Sequence, residues 1–364
     1  MKQRLDLVSF QLCQLDSKMM SLKANKAILL INLGSPQSPT RPSIRRYLRQ
    51  FLSDRRVMTM PAPLRWMIVN LVIAPFRPSV IKSSYQSIWS DQGFPLIVHA
   101  EKLAAGVLTL LDESFLVEIG MRYGQPDLNK TLEKIRLAGV QQLLIFPLFP
   151  QYSSATTGSI IEQCMNIIRS WNVIPEVTFI SSFYRHPKFI EAWRQRGESY
   201  IQQQPDHILF SFHGLPESHI LEGDVTSKHC LKSASCCFSE NAVNGCYRAQ
   251  CFKTAELIAE ALSLDSSNYS ISFQSRLGKA KWLEPYTNQY VKQLAEKGVK
   301  NLLVFCPSFV ADCLETTHEI QAEVKEEFLK CGGKNLTLVP SLNSSQTWIQ
   351  MLASIIKEKL KIVA

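Results

Sequence analysis

Two strand-like runs end on side chains able to move protons and hold metal ions. The first, ILFSFHGLP from Ile208 to Pro216, is apolar up to a histidine and then breaks at Gly214. A strand that stops on His-Gly projects the imidazole from its carboxyl end, where open parallel sheets build their sites. His213 is thus a candidate base or ligand, the plain alternative being a core histidine satisfied by hydrogen bonds. The second run, LLVFCPSFVADCLETTHEI, leads into an acidic stripe in which Asp312, Glu315, Glu319 and Glu323 recur at three- and four-residue spacing. A helix starting near Phe309 would place all four carboxylates on one face. Like charges so placed repel by roughly 0.2 to 0.5 kcal/mol per pair, so a cation is expected to offset them. Glu323 reads with Glu326 and Glu327 as a solvated helix face, outside the site.

A third group is made of thiols. The stretch VTSKHCLKSASCCFSENAVNG has neither helical nor strand period and reads as an insert over 225–246, with Cys230, Cys236, Cys237 and Cys246. Four thiolates in a loop without its own core suggest a metal centre that organises it. Adjacent Cys236 and Cys237 are awkward on one centre, and Cys251 or His229 are alternatives to either. Cys306 and Cys313 need no role beyond that of small buried residues.

The first 26 residues mix Arg4, Lys18, Lys23 and Lys26 with Asp6 and Asp16 and have no continuous apolar core. They read as an N-terminal extension without ordered structure, not as a secretory signal, with Met19 and Met20 as alternative starts. A reducing compartment follows, where the ten cysteines serve as thiols or ligands rather than disulfides.

Charge is unevenly placed. Of the 40 Lys and Arg and 31 Asp and Glu, residues 1–80 hold thirteen of the cations and three of the anions. Within this basic region MTMPAPLRWMIVNLVIAPF, 58–76, is nearly uncharged and broken by Pro61, Pro63 and Pro75. Its roughly ten unbroken apolar positions fall short of the ~20 needed to cross a bilayer. Flanked by Arg65, Arg77 and the Arg55-Arg56 pair, it would suit a membrane interface, the mouth of a pocket for a greasy anion, or a core helix. No run of cations interleaves with stacking aromatics, so nucleic acid is not an expected partner.

Positioning falls to alternating apolar runs and amphipathic helices: AILLINLG, FLVEIGMRYG, VQQLLIFPLFP, EVTFISSF, HILFSFHG, YSISFQSRLG and VKNLLVFCP. This is the grammar of α/β proteins with parallel sheets covered on both faces. Pairs of runs match in the same order in both halves: Gly34 and Pro36 with Gly214 and Pro216, Arg122 and Gly124 with Arg276 and Gly278, Gly139 with Gly298. The expected architecture is two similar doubly wound, Rossmann-like domains over 27–185 and 186–364, with a cleft between them at the strand ends.

SFHGLP at Ser211, FQSRLGKAKWLEPYT at Phe273 and CPSFVADCLET at Cys306 resemble the signature segments of ferrochelatases of proteobacterial type. NLGSP at Asn32, FLSDRRV at Phe51, MRYG at Met121 and FPQYSSATTGS at Phe149 fit the same family in the same order. The resemblance implies insertion of ferrous iron into protoporphyrin IX, the last step of haem formation, without a nucleotide. It implies His213 as proton acceptor or metal ligand, Glu315 as its partner and Asp312 and Glu319 as a relay for iron or protons. Leu33, Tyr123 and Trp282 would be walls that bend the ring, and Arg122 and Ser159 partners of a propionate. For the thiols it implies a [2Fe-2S] cluster held by an internal segment, with zinc as the other reading. Cytoplasmic location with peripheral contact to the inner membrane is expected, and homodimers and monomers both occur on this fold. Alternatives are a chelatase for coproporphyrin or cobalt, and a non-catalytic protein responsive to haem or iron-sulfur.

Overall fold

The apolar runs become strands because both of their faces are covered. Ile28, Leu29 and Ile31 in the first run, and Leu143 to Phe146 in the third, are all 0 % exposed, as strands in the middle of a parallel sheet must be. The computed structural model describes residues 24–233, 235–238 and 245–360; most of the expected N-terminal extension, residues 1–23, lies outside them. Four strands, β1 (Lys26–Asn32), β2 (Phe115–Met121), β3 (Gln142–Pro147) and β4 (Glu176–Phe179), form a parallel sheet in the order β2-β1-β3-β4. Another four, β5 (His207–His213), β6 (Tyr269–Gln274), β7 (Asn301–Phe305) and β8 (Asn335–Leu338), form a second sheet in the order β6-β5-β7-β8. Each half runs its strands in the same permutation, which is the physical content of the repeated motifs.

The two sheets share one core. Ile28 and Leu30 of β1, Leu144 and Phe146 of β3, Phe210 and Phe212 of β5 and Leu303 and Phe305 of β7 belong to a single buried cluster. The last helix, Gln346–Lys359, packs on the helix Pro95–Leu108 of the first half and on Pro187–Ile201. Its Trp348 is fully buried against Phe183 and Phe189. Gly106 permits that contact, since a Cβ there would stand 2.5 Å from Ile349.

Two helical segments differ from the expectations. Between Ala62 and Ser87 the chain is one continuous helical run of 26 residues, with a wide π-turn over Ile68–Ile73. Prolines do not cut it short: Pro61 precedes it as the cap and Pro63 lies in its first turn, where helices tolerate proline, while Pro75 and Pro78 follow directly on the π-turn. By length and composition, with mean hydropathy 1.3, the run is long and apolar enough to cross a bilayer. The acidic helix starts at Leu314, not near Phe309, and is π-helical through Val324, a form that is rare and frequent at functional sites.

Candidate active site

At the carboxyl ends of both sheets, under the helical run Ala74–Ser87, lies a cavity of about 550 Å³. Its size is that of a small-molecule site. Apolar side chains dominate it, among them Leu33, Phe51, Ile81 and Trp282.

His213 ends β5 and enters this cavity with its ring 6.4 Å from Trp282 and 6.1 Å from Phe309. Its Nδ1 lies 2.6 Å from the carbonyl oxygen of Gly214. A carbonyl only accepts, so Nδ1 carries the proton and Nε2 keeps its lone pair. Among the described residues no hydrogen bond engages Nε2. The next residue must be glycine for packing: a Cβ on Gly214 would come 2.8 Å from the Gln274 carbonyl and 3.1 Å from Trp282. That proximity sets the tryptophan beside the histidine, where its buried indole N–H has no partner among the described residues.

Glu315, Glu319 and Glu323 all line the same cavity from the π-helix. Gln274, which pairs with His213 across the β5–β6 ladder, fastens that helix by donating from Nε2 to the Glu315 carbonyl (2.8 Å) and to Glu319 Oε2 (3.2 Å). The Ser275 N–H donates to Glu319 Oε1 at 2.7 Å. Burial pushes the Glu319 carboxyl up from its ordinary 4.5, against the hydrogen bond from Ser275 and the attraction of His213. A carboxylate biased toward holding its proton, near a bare imidazole nitrogen, can pass protons at neutral pH. Glu323, set aside as solvated face in the sequence, belongs to the cavity. Its bond to His318 (3.2 Å), which itself meets Ser87 Oγ (3.0 Å), ties it to the helix above.

Four expected residues stand elsewhere. Asp312 precedes the helix and is held by Asn343, which donates from Nδ2 at 2.7 Å and accepts the Asp312 N–H at 2.8 Å, with the Ser341 N–H at 3.1 Å. Arg122, Tyr123 and Ser159 converge on Asp54, which follows the helix Arg41–Ser53, at 2.6, 2.8 and 2.5 Å. Burial raises the Asp54 carboxyl, but bonds from Ser159, the Arg56 N–H and Tyr123, with the Arg122 charge, hold it below its ordinary value. Arg122 thus neutralises a buried carboxylate, and none of the four lines the cavity. Arg55 and Arg56 pair with Glu162, and Arg65 donates to the carbonyls of Met58 and Met60. The cations left to the cavity are Arg77 and Arg276, neither in an ion pair among the described residues. Arg276 was signalled by its match to Arg122 in the repeat; nothing in the local pattern marked Arg77 over its neighbours.

The four cysteines of the insert come together. Cys236 and Cys237 Sγ are 3.9 Å apart, and Cys246 bonds both Cys237 and Cys230. Cys246 caps the helix Tyr247–Ala261. The thiol of Cys237 first, then the N–H groups of Ala249 and Arg248 and the thiol of Cys230, draw it down to about 6 against burial. Arg248 Nη1 donates to Cys237 Sγ at 3.1 Å. Cys251, like Cys230, is buried in the main core and bonds Tyr247, while His229 donates from Nε2 to the Cys236 carbonyl at 2.7 Å. Among the described residues no three His, Cys, Asp or Glu stand at ready metal-coordinating spacing; the sulfurs meet through thiol contacts. Only Cys246 stands at the helix N-terminus and leans toward thiolate; burial pushes the Cys230 thiol up to about 12, and the hydrogen bond to Cys246 together with burial pushes Cys237 up as well, against the Arg248 guanidinium.

Comparison with known proteins gives this geometry its context. The profile of the ferrochelatase family matches residues 25–360. The chain belongs to the ferrochelatase family. It is 43% identical over 349 residues to the ferrochelatase of Coxiella burnetii (strain Dugway 5J108-111), covering 95% of this chain and 98% of that one. It is 42% identical over 331 residues to the ferrochelatase of Pseudomonas fluorescens (strain Pf0-1), covering 90% and 96%. Among solved structures, SirB from Bacillus subtilis with Fe3+ superposes with a TM-score of 0.52 at 12% identity, over 92% of this chain and 95% of that one. That likeness concerns the fold, two parallel sheets with flanking helices, which this chain shares.

Proposed function

We propose that this member of the ferrochelatase family inserts ferrous iron into protoporphyrin IX, completing haem, and that His213 and the π-helix carboxylates carry the step. The observation behind this reading is the bare Nε2 of His213 in an apolar cavity that also holds Glu315, Glu319 and Glu323. Metallation removes two pyrrole protons while a hydrated cation loses its water. Neutral imidazole accepts protons near neutral pH, and carboxylates offer hard oxygens that bind and release ferrous iron. Trp282 and Leu33 pack on the macrocycle and hold it bent, exposing lone pairs that point inward in the planar ring. Arg77 and Arg276, rather than Arg122 and Ser159, meet the propionates at the cavity mouth.

The four converging cysteines support a [2Fe-2S] cluster, whose electron-transfer chemistry would sit apart from the porphyrin; colourless protein containing zinc would replace that reading with a Zn(Cys)4 site. The exposed apolar side chains of the helical run, Trp66 (61% exposed) and Phe76 (69%) among them, support a peripheral site on the inner membrane facing the cytoplasm. Lying on the bilayer agrees better than crossing it, because the same run packs on the helix Arg41–Ser53 and supplies Ile81 and Tyr85 to the cavity.

His213→Ala tests the proposal. Porphyrin binding, followed by fluorescence quenching, should persist while ferrous or zinc insertion disappears; insertion at the native rate would refute the role of His213. Parallel assays with protoporphyrin and coproporphyrin decide the substrate.

A further inference from the structure

The peptide that carries the candidate catalytic imidazole is held by a residue adjacent to the thiol group. On one flank, the β5–β6 ladder runs to His213↔Gln274 and the Gly214 N–H donates to the Gln274 carbonyl at 2.8 Å. On the other, pairing with β7 stops at Phe210↔Phe305, three residues short of His213. Side chains take over there. The His213 carbonyl accepts from the Tyr247 hydroxyl at 2.8 Å, its N–H meets Ser308 Oγ at 3.4 Å, and those two oxygens lie 3.2 Å apart. The plane of the 213–214 peptide is therefore pinned on one side by Gln274 and on the other by Tyr247. That peptide begins at the His213 backbone and so fixes the base of the side chain directly; the Gly214 carbonyl that holds Nδ1 belongs to the next peptide, joined to it through the Gly214 Cα. Glycine has no side chain to fix the plane itself.

Tyr247 is buried, lines the cavity and is the first residue of its helix; Cys246, its covalent neighbour, is the cap whose sulfur bonds Cys230 and Cys237. From the thiols to the imidazole the path is one peptide bond and one hydrogen bond. We propose that Tyr247 is a positioning residue for His213 and that it couples occupancy of the Cys230, Cys236, Cys237 and Cys246 site to the insertion step. Metal at the four sulfurs fixes Cys246 and the first helical turn, and Tyr247 then grips the His213 carbonyl; an empty site loosens that turn and the imidazole loses its aim. The coupling rests on the reading of the thiols as a metal site, whereas the grip of Tyr247 stands on geometry alone.

The test uses full-length protein with three measurements: bound metal and sulfide, kcat and KM for zinc insertion into protoporphyrin, and the imidazole resonances of ¹⁵N-histidine-labelled protein. Tyr247→Phe keeps shape and removes only the hydroxyl. It should retain thiol-bound metal and porphyrin KM, lose about tenfold to a hundredfold in kcat, and shift the His213 resonance. Cys230→Ser lies away from the helix cap; it should lose the thiol metal and reproduce the same kcat loss and resonance shift. The double variant should be no worse than either single one, because both act through one contact. An unchanged kcat in Tyr247→Phe overturns the positioning role. Metal loss without a kcat change in Cys230→Ser, or losses that multiply in the double variant, overturn the coupling. Wild-type protein that takes up no metal at its thiols refutes the metal-site reading and the coupling with it, while Tyr247→Phe still decides the grip. Thermal midpoints and porphyrin quenching identify any variant whose loss is one of folding.

Discussion

At the scale of single residues, type announces chemistry but not company. The sequence placed His213 at the end of an apolar strand, with a core histidine as the plain alternative; the structure puts it in the cavity and adds the tautomer through Gly214. Arg122 was legible as a cation but not as a spent one. Its partner Asp54 lies 68 positions earlier in the chain, and only the fold brings a 4%-exposed carboxylate against it. Removing one member of such a pair leaves the other charged and buried, which typically costs about 3–5 kcal/mol. Arg122→Gln is expected to lower the unfolding midpoint by an amount of that order, with porphyrin KM little changed. A large rise in KM at unaltered stability would instead return Arg122 to the substrate. Arg77→Ala should behave in the opposite way, raising KM for dicarboxylic porphyrins while stability holds.

At the scale of elements, periodicity located the acidic helix but not its form. Three- and four-residue spacing fits either helix type, and the start was displaced because Asp312 is claimed by Asn343 and Ser341, partners 29 to 31 positions away. The π-helix carries a buried Glu319 whose proton is held above the ordinary 4.5. A carboxyl raised in the folded state contributes stability that is present below the unfolded value and lost as pH rises through the folded one. Glu319→Gln should therefore unfold at progressively higher urea than wild type as pH is raised from about 5 toward 8, with metal insertion reduced. A difference in midpoint that does not grow with pH would contradict the burial argument. The lip makes a second test at this scale. Replacing Trp66 and Phe76 with serine should weaken binding to anionic phospholipid vesicles in sedimentation assays while leaving insertion into detergent-solubilised porphyrin intact, because neither residue lines the cavity. Its length was misjudged from sequence because prolines were read as breaks, although Pro63 lies in the first helical turn and Pro75 follows a π-turn inside the run.

At the scale of the whole molecule, the duplication was legible: repeated glycine, proline and arginine positions correspond to two sheets with one strand permutation. What repeats could not convey is that the halves share a core. Trp348→Ala should cost about 3–5 kcal/mol and shift one cooperative transition followed by both calorimetry and far-ultraviolet dichroism. Two separated transitions would mean that the halves unfold independently. The helix Gln346–Lys359 has a further implication for biosynthesis. Its seat on Pro95–Leu108 belongs to the first half but is filled by residues translated only after the whole second sheet. During elongation the nascent first half therefore waits beside the ribosome with an oily trough uncovered, the kind of exposure that invites holdase chaperones and off-pathway association. Loss of this one helix would consequently damage a part of the polypeptide made long before it.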